Sequence, residues 1–316
     1  MAAYTAIDDP GLYFNTVLYT GDGASTLAIT GVGFQPDFTW IKVRTLTHNH
    51  TLFDSVRGAT KVLESNLTNA ENARANSLKS FDTDGFTLGD WDNVNDASDT
   101  YVSWNWKESA TAGFDIVLYT GNATARTISH SLSAVPKVIM PKSRSATYEW
   151  RLYHAGNTSA PETDFIVLNQ DYATTDNLGA WNDTAPTSSV FTLGDGETPN
   201  NDGTTYVTYL WSEVQGFSKF GSYTGNGNDD GPFIYTGFRP AWTMIKLTSG
   251  TDNWVVDDNK RSTSNIMQNT LFPNANTAEY TGSAYGIDFL SNGFKIRNDD
   301  GQYNNSGGTY IYMAFA

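Results

Sequence analysis

Between residues 14 and 107, apolar and polar side chains alternate in short runs, the period of half-buried strands rather than of helices. The runs predict strands over Asn15–Thr20, Ser25–Thr30, Phe38–Arg44, Thr51–Val56, Lys61–Ser65, Leu78–Phe81, Phe86–Asp90 and Thr100–Lys107. Clusters of turn formers separate them: Gly21-Asp22-Gly23, Gln35-Pro36-Asp37 and Asp82-Thr83-Asp84-Gly85. A turn or two of helix is expected at Thr68–Asn76, with Thr68 as N-cap and Glu71 as its capping-box partner. Short strands at this spacing predict a two-layer antiparallel sandwich, immunoglobulin-like or jelly-roll.

The pattern recurs. Tyr-Thr-Gly stands at 19, 119 and 223, and each triplet is followed by Asp22, Asn122 or Asn226. Then come Gly33-Phe34-Gln35-Pro36, Ala134-Val135-Pro136 and Gly237-Phe238-Arg239-Pro240. Each Pro precedes an apolar run carrying one lysine: Lys42, Lys142 and Lys246. Asp84-Gly85-Phe86, Ser189-Val190-Phe191 and Asn292-Gly293-Phe294 follow in register, and the aromatic runs 101–106, 206–211 and 310–315 close each copy. Five landmarks in one order, three times over, define a tandem repeat. The fold expected is all-β: three tandem antiparallel β-sandwich units, jelly-roll or lectin-like, of about 100 residues each. Their bounds are 12–110, 111–214 and 215–316, after a lead at 1–11. The few-residue linkers predict units packed on one another. In the landmark triplet, Tyr ends a strand and Gly is expected to supply the positive φ of a tight turn. The three lysines are expected on the solvent face, with an inter-unit salt bridge as the alternative.

Composition narrows the partners. Thirty-four acidic against nineteen basic residues leave a net charge of −15, which repels nucleic acid. No cysteine is present, so disulfides and thiolate metal sites are excluded. Met1–Asp9 shows no secretory signal, and no apolar run is long enough to span a bilayer, so no membrane insertion is expected. A role outside a cell would then be reached by lysis.

The landmarks resemble a family of virion structural proteins of marine bacteriophages, tail-fibre-like, with lectin-like sandwich repeats. The resemblance is carried by Tyr19-Thr20-Gly21-Asp22-Gly23, Gly33-Phe34-Gln35-Pro36-Asp37, Trp40-Ile41-Lys42, Asp54-Ser55-Val56-Arg57-Gly58 and Ser80–Phe86, with Ile7-Asp8-Asp9-Pro10 before them. It covers nearly the whole chain. At the Asp-Ser-x-Arg-Gly position, however, the second unit has Tyr153-His154-Ala155-Gly156 and the third Asp257–Arg261. The resemblance implies a place on the virion, assembled in the host cytoplasm. There the chain would serve as a fibre, tail appendage or capsid decoration, homo-oligomeric and bound to other virion proteins and host-surface glycans. It supplies no catalytic residues.

Chemistry in the residues themselves is sparse. Neither a nucleophile elbow nor a phosphate loop occurs, so the chain is not expected to be an enzyme. His48 and His50 form a pair without a third ligand and read as solvated loop residues. Clustered carboxylates at Asp82, Asp84, Asp90, Asp96, Asp299 and Asp300 offer oxygen ligands for Ca²⁺, the one cofactor the sequence suggests, although none matches an EF-hand. Trp91 with Asp92, and Trp181 with Asp183, pair an aromatic face with hydroxyl acceptors, as glycan sites do, whereas Trp40, Trp104 and Trp242 are expected in the core. The alternative to a virion structural role is a carbohydrate-active enzyme or its glycan-binding module.

Overall fold

A computed structural model describes residues 5–316, so the first four residues of the lead lie outside it. The chain is all-β, with antiparallel sheets and only single turns of helix. No helix among the described residues is long and apolar enough to cross a membrane.

The first stretch of chain forms β1 (Phe14–Thr20), β2 (Leu27–Thr30), β3 (Phe38–Val43), β4 (Thr51–Asp54), β5 (Lys61–Glu64), β6 (Asn72–Ala73), β7 (Leu78–Asp82), β8 (Gly85–Leu88) and β9 (Thr100–Trp106). All eight expected strands are present. Residues 68–76 are not helical: the segment is extended, contains β6, and pairs with β5. Its Glu71 side chain turns to two arginines rather than back to a helix cap. One sheet has the order β1-β9-β3-β4-β5-β6 and the other β2-β8-β7.

The second and third stretches repeat the central ladder. Phe114–Thr120, Thr205–Trp211 and Val138–Ser143 pair like β1, β9 and β3. So do Ser218–Thr224, Thr309–Phe315 and Trp242–Leu247. The stretches differ at the periphery: the second has a two-stranded smaller sheet, and the third lacks counterparts of β5 and β6 in its larger one.

Strands β3 and β9 are buried on both faces. Ile41, Val43 and Tyr101 pack with Ile29, Phe86 and Leu88 of the smaller sheet, and each of the other stretches has its own such cluster. The opposite face, with Phe38, Trp40, Val102, Trp104 and Trp106, joins Met140, Tyr209 and Trp211 of the second stretch and Trp242, Met244 and Phe315 of the third. One aromatic core is therefore shared by all three stretches. Rings of different stretches meet there at close range, with Phe38 and Tyr209 at 4.4 Å between centroids and Phe14 and Phe315 at 5.3 Å.

Candidate functional site

The stretches meet at three seams, and the same backbone positions form each. Glu71 N donates to Arg144 O at 2.9 Å, Thr174 N to Thr248 O at 2.9 Å, and Glu279 N to Arg44 O at 2.8 Å. First touches second, second touches third and third touches first in one sense, which closes a ring.

Side chains distinguish the seams. At the first, Arg57 is fully buried, bonded to Asp54, and 3.2 Å from Glu71. Glu71 in turn takes two bonds from Arg144 of the second stretch, at 2.9 and 3.1 Å, while Tyr209 OH donates to Asp54 at 2.7 Å. The third-to-first seam has the same parts. Arg261 bonds Asp258 at 2.5 Å and Glu279 at 3.0 Å, Arg44 grips Glu279, and the Trp104 indole donates to Asp258 at 2.9 Å. At the second-to-third seam His154 and Asn157 stand in these places, with Thr174 Oγ1 donating to Asn157 at 2.7 Å. His154 Nδ1 accepts from Gly156 N at 3.0 Å, which leaves Nε2 as the donor to Tyr312 O at 3.1 Å. Burial pushes the His154 pKa down to about 4. The Asp and Arg of the Asp-Ser-x-Arg-Gly element thus form a seam clasp, which the third stretch keeps as Asp258 and Arg261 and the second lacks.

The repeated lysines are buried, contrary to the expectation that they face solvent. They lie on the same strand face as Trp40 and its counterparts, and their ammonium groups are bonded by carbonyl oxygens rather than carboxylates. Lys142 Nζ donates to Thr68 O of the first stretch at 2.7 Å, and Lys246 Nζ to Asp171 O of the second at 3.1 Å. Lys42 Nζ is held by Val43 O and Leu46 O. Burial brings Lys42 and Lys142 down to about 7.

The Tyr-Thr-Gly landmark is architectural, for a reason other than the one expected. Gly21, Gly121 and Gly225 do not adopt positive φ. A Cβ on each would lie 2.1, 2.1 and 2.3 Å from the carbonyl oxygens of Asp96, Asn201 and Asn305, so glycine is needed for close approach. The preceding tyrosines stack on Tyr101, Tyr206 and Tyr310 with centroids 4.9–5.0 Å apart. Buried Asn95, Asn200 and Asn304 then accept from the backbone N–H of Asp22, Asn122 and Asn226.

The proposed glycan residues do not converge. Trp181 is 2% exposed, packs in the second stretch's core, and donates its indole N–H to Asp164 O, so it has no free face for a sugar. Asp183 lies outside on the following turn, in the left-handed region. Trp91 is half-buried with the Arg74 guanidinium 4.3 Å over its ring, which occupies the stacking face, and Asp92 is exposed beside it.

The carboxylates considered for Ca²⁺ serve local turns. Asp82 accepts from Ser80 and Thr87 hydroxyls, and Asp84 from Gly31 and Gly33 N–H, bonds that lower its pKa. Asp90 accepts from Asn76, Asp96 from Ala97 N, and Asp300 from Gln302 N, while Asp299 is exposed. No group of three or more His, Asp or Glu positioned for a metal occurs among the described residues. His50 is buried rather than solvated, and its Nδ1 accepts from the Trp40 indole at 2.9 Å.

A groove of about 220 Å³ opens where the second stretch passes into the third, flanked by Glu213, Gln215, Ser218, Lys219, Tyr235 and Thr236. Tyr235 is 61% exposed, and Phe233, two residues along the same edge strand, is 45% exposed. Lys219 Nζ and Glu213 Oε1 pair at 2.7 Å across the half-exposed floor. Sequence reasoning passed over these aromatics, although alignment of the repeats marks them. Their places hold Ala28 and Thr30 in the first stretch, and Thr127 and Ser129 in the second.

Residues 9–316 match the family model described as Domain of unknown function (DUF7483). No curated protein matches the chain.

Proposed function

The chain belongs to the DUF7483 family, and from that premise we propose that it is a non-enzymatic structural protein of a bacteriophage particle surface. We read each stretch as one lectin-like β-sandwich repeat, bounded at 12–110, 111–214 and 215–316. The observation that carries the reading is the closed ring. Three repeats share one aromatic core and lock through buried seam clasps, so a single chain makes a stiff body of threefold character. Such a body suits a symmetric particle, where neighbours present threefold arrangements. Its conspicuous buried polar groups serve the seams and turns. The net negative charge repels nucleic acid.

The test is a reconstruction of the purified particle at side-chain resolution. The expected result places this chain on the particle with at least one repeat face docked on a neighbour. A particle preparation that lacks the chain overturns the reading.

A second reading, a glycan-binding module, is favoured by one specific observation: the groove beside Tyr235, which joins an exposed aromatic ring to polar side chains.

A further inference from the structure

We propose that the groove where the second repeat passes into the third binds one neutral hexopyranose ring, stacked on Tyr235. The inference deepens the glycan reading and rests on the groove's geometry, not on where the chain sits in a particle.

The three repeats form an internal comparison. In the first two, the outward positions of the smaller sheet's edge strand carry Ala28 and Thr30, or Thr127 and Ser129, around a buried Ile29 or Ile128. The third keeps the buried Ile234 but sets Phe233 and Tyr235 outward. A hydrophobic gain at exposed sites contributes nothing to the core of the isolated chain, so folding does not require it. The strand's inward residue is retained while its outward ones change, which separates folding from surface chemistry.

The rings are supported from beneath. Gly293 pairs with Tyr235 in the ladder, and a Cβ there would come within 2.9 Å of the Phe233 ring. The Tyr235 ring lies against Gly237, 3.6–3.8 Å from where a Cβ would stand. Gly293 is required by the backbone, since a Cβ there would stand 2.1 Å from Ile234 O, as one at Gly85 would stand 2.0 Å from Ile29 O. The same lack of a side chain gives the Phe233 ring room beside the ladder.

Polar groups set the class of ligand. The C–H face of a pyranose covers an aromatic ring while its hydroxyls need both donors and acceptors. Glu213 supplies acceptors, Lys219 donors, and Gln215 both, all at the groove. Because Lys219 and Glu213 are paired at 2.7 Å, the floor carries no net charge. The chain's charge of −15 disfavours anionic sugars, so a neutral one is expected. The volume of about 220 Å³ is smaller than the ~300 Å³ at which drug-sized pockets begin, which suits one ring rather than a chain of rings.

The junction of the first and second repeats shows the same floor built differently. Glu108 and Asp115 occupy the places of Glu213 and Lys219, and there Asp115 is buried, accepting from Ser131 N. The open cation–anion floor and the exposed rings coincide at the junction of the second and third repeats.

The experiment is saturation-transfer NMR on the full chain with the methyl glycosides of glucose, galactose and mannose. A single sugar ring is expected to bind with a dissociation constant on the order of 1 mM. Transfer to the ring protons of at least one glycoside is expected, with Tyr235→Ala weakening it about tenfold or more and Tyr235→Phe retaining it. Tyr235 is exposed, so its truncation leaves the core intact. Absence of transfer to all three, or transfer unchanged in Tyr235→Ala, overturns the proposal. Either result is independent of whether the chain is found on a particle.

Discussion

Arg44 and Glu279 are joined by two bonds, Nη2 to Oε1 at 2.7 Å and Nε to Oε2 at 3.0 Å, although 235 residues separate them in the chain. Glu279 also faces the fully buried Arg261, so the pair is the outer half of a clasp that closes the third stretch onto the first.

Removing Glu279 strands a buried guanidinium. Glu279→Ala is expected to lower stability by about 3–5 kcal/mol, and Glu71→Ala by a similar amount, because each leaves Arg261 or Arg57 partly unpaired. Thr174→Ala, at the same position of the neutral seam, loses a single hydrogen bond and about 1 kcal/mol. Urea midpoints at unchanged slope check the ranking. Equal losses at all three seams would contradict it.

Trp104 fills the shared core and also satisfies Asp258. Trp104→Phe keeps a ring but deletes that donor, and about 1–3 kcal/mol is expected to go with it. Trp104→Ala adds a cavity and should cost about 3–5 kcal/mol. Thermal unfolding of the two variants separates bonding from packing.

Acid should loosen the neutral seam. His154 is neutral in the fold because burial lowers its pKa from 6.5 to about 4. Its contribution is full above pH 6.5 and is lost as pH falls toward 4, with a slope of up to about 1.4 kcal/mol per pH unit. Buried His50, also lowered, acts in the same direction, whereas buried Asp257, raised to about 6, opposes it. The comparison is therefore with His154→Gln, which keeps a donor for Tyr312 O but cannot titrate. Its stability should fall less steeply than the parent's between pH 6.5 and 4, as read by urea unfolding across that range. Identical slopes would show that His154 is not the titrating group.

Gly121→Ala tests the close-approach account of the repeated triplet. The new Cβ would stand 2.1 Å from Asn201 O, with backbone on both sides, and about 1–3 kcal/mol should be lost. A positive-φ account predicts tolerance, since Gly121 lies outside that region. Calorimetry of the variant decides between them.

Much of this was legible beforehand. Period-two alternation located every expected strand of the first repeat, because half-burial of a sheet is written locally, and it missed only the two-residue β6. The repeated triplets marked real constraints, yet a triplet cannot say whether its glycine serves φ or proximity. The acidic loop at 90–96 looked like a ligand set because composition does not reveal that Asn95 is buried and bonded to the loop at 22–24. Trp181 looked exposed because its neighbours are polar, whereas its single turn of helix carries it inward.

The sequence by itself determined the strand content, the threefold recurrence and the position at which the second and third copies depart from the first. Only the tertiary structure decided that the far faces of the central strands meet about a common core, that Lys42, Lys142 and Lys246 are buried there, and that Asp54 and Asp258 are seam residues. The reason is physical. Local alternation reports which side of a strand leaves water, but the surface covering the second side comes from a chain segment a hundred or more residues away. No short-range period encodes that partner.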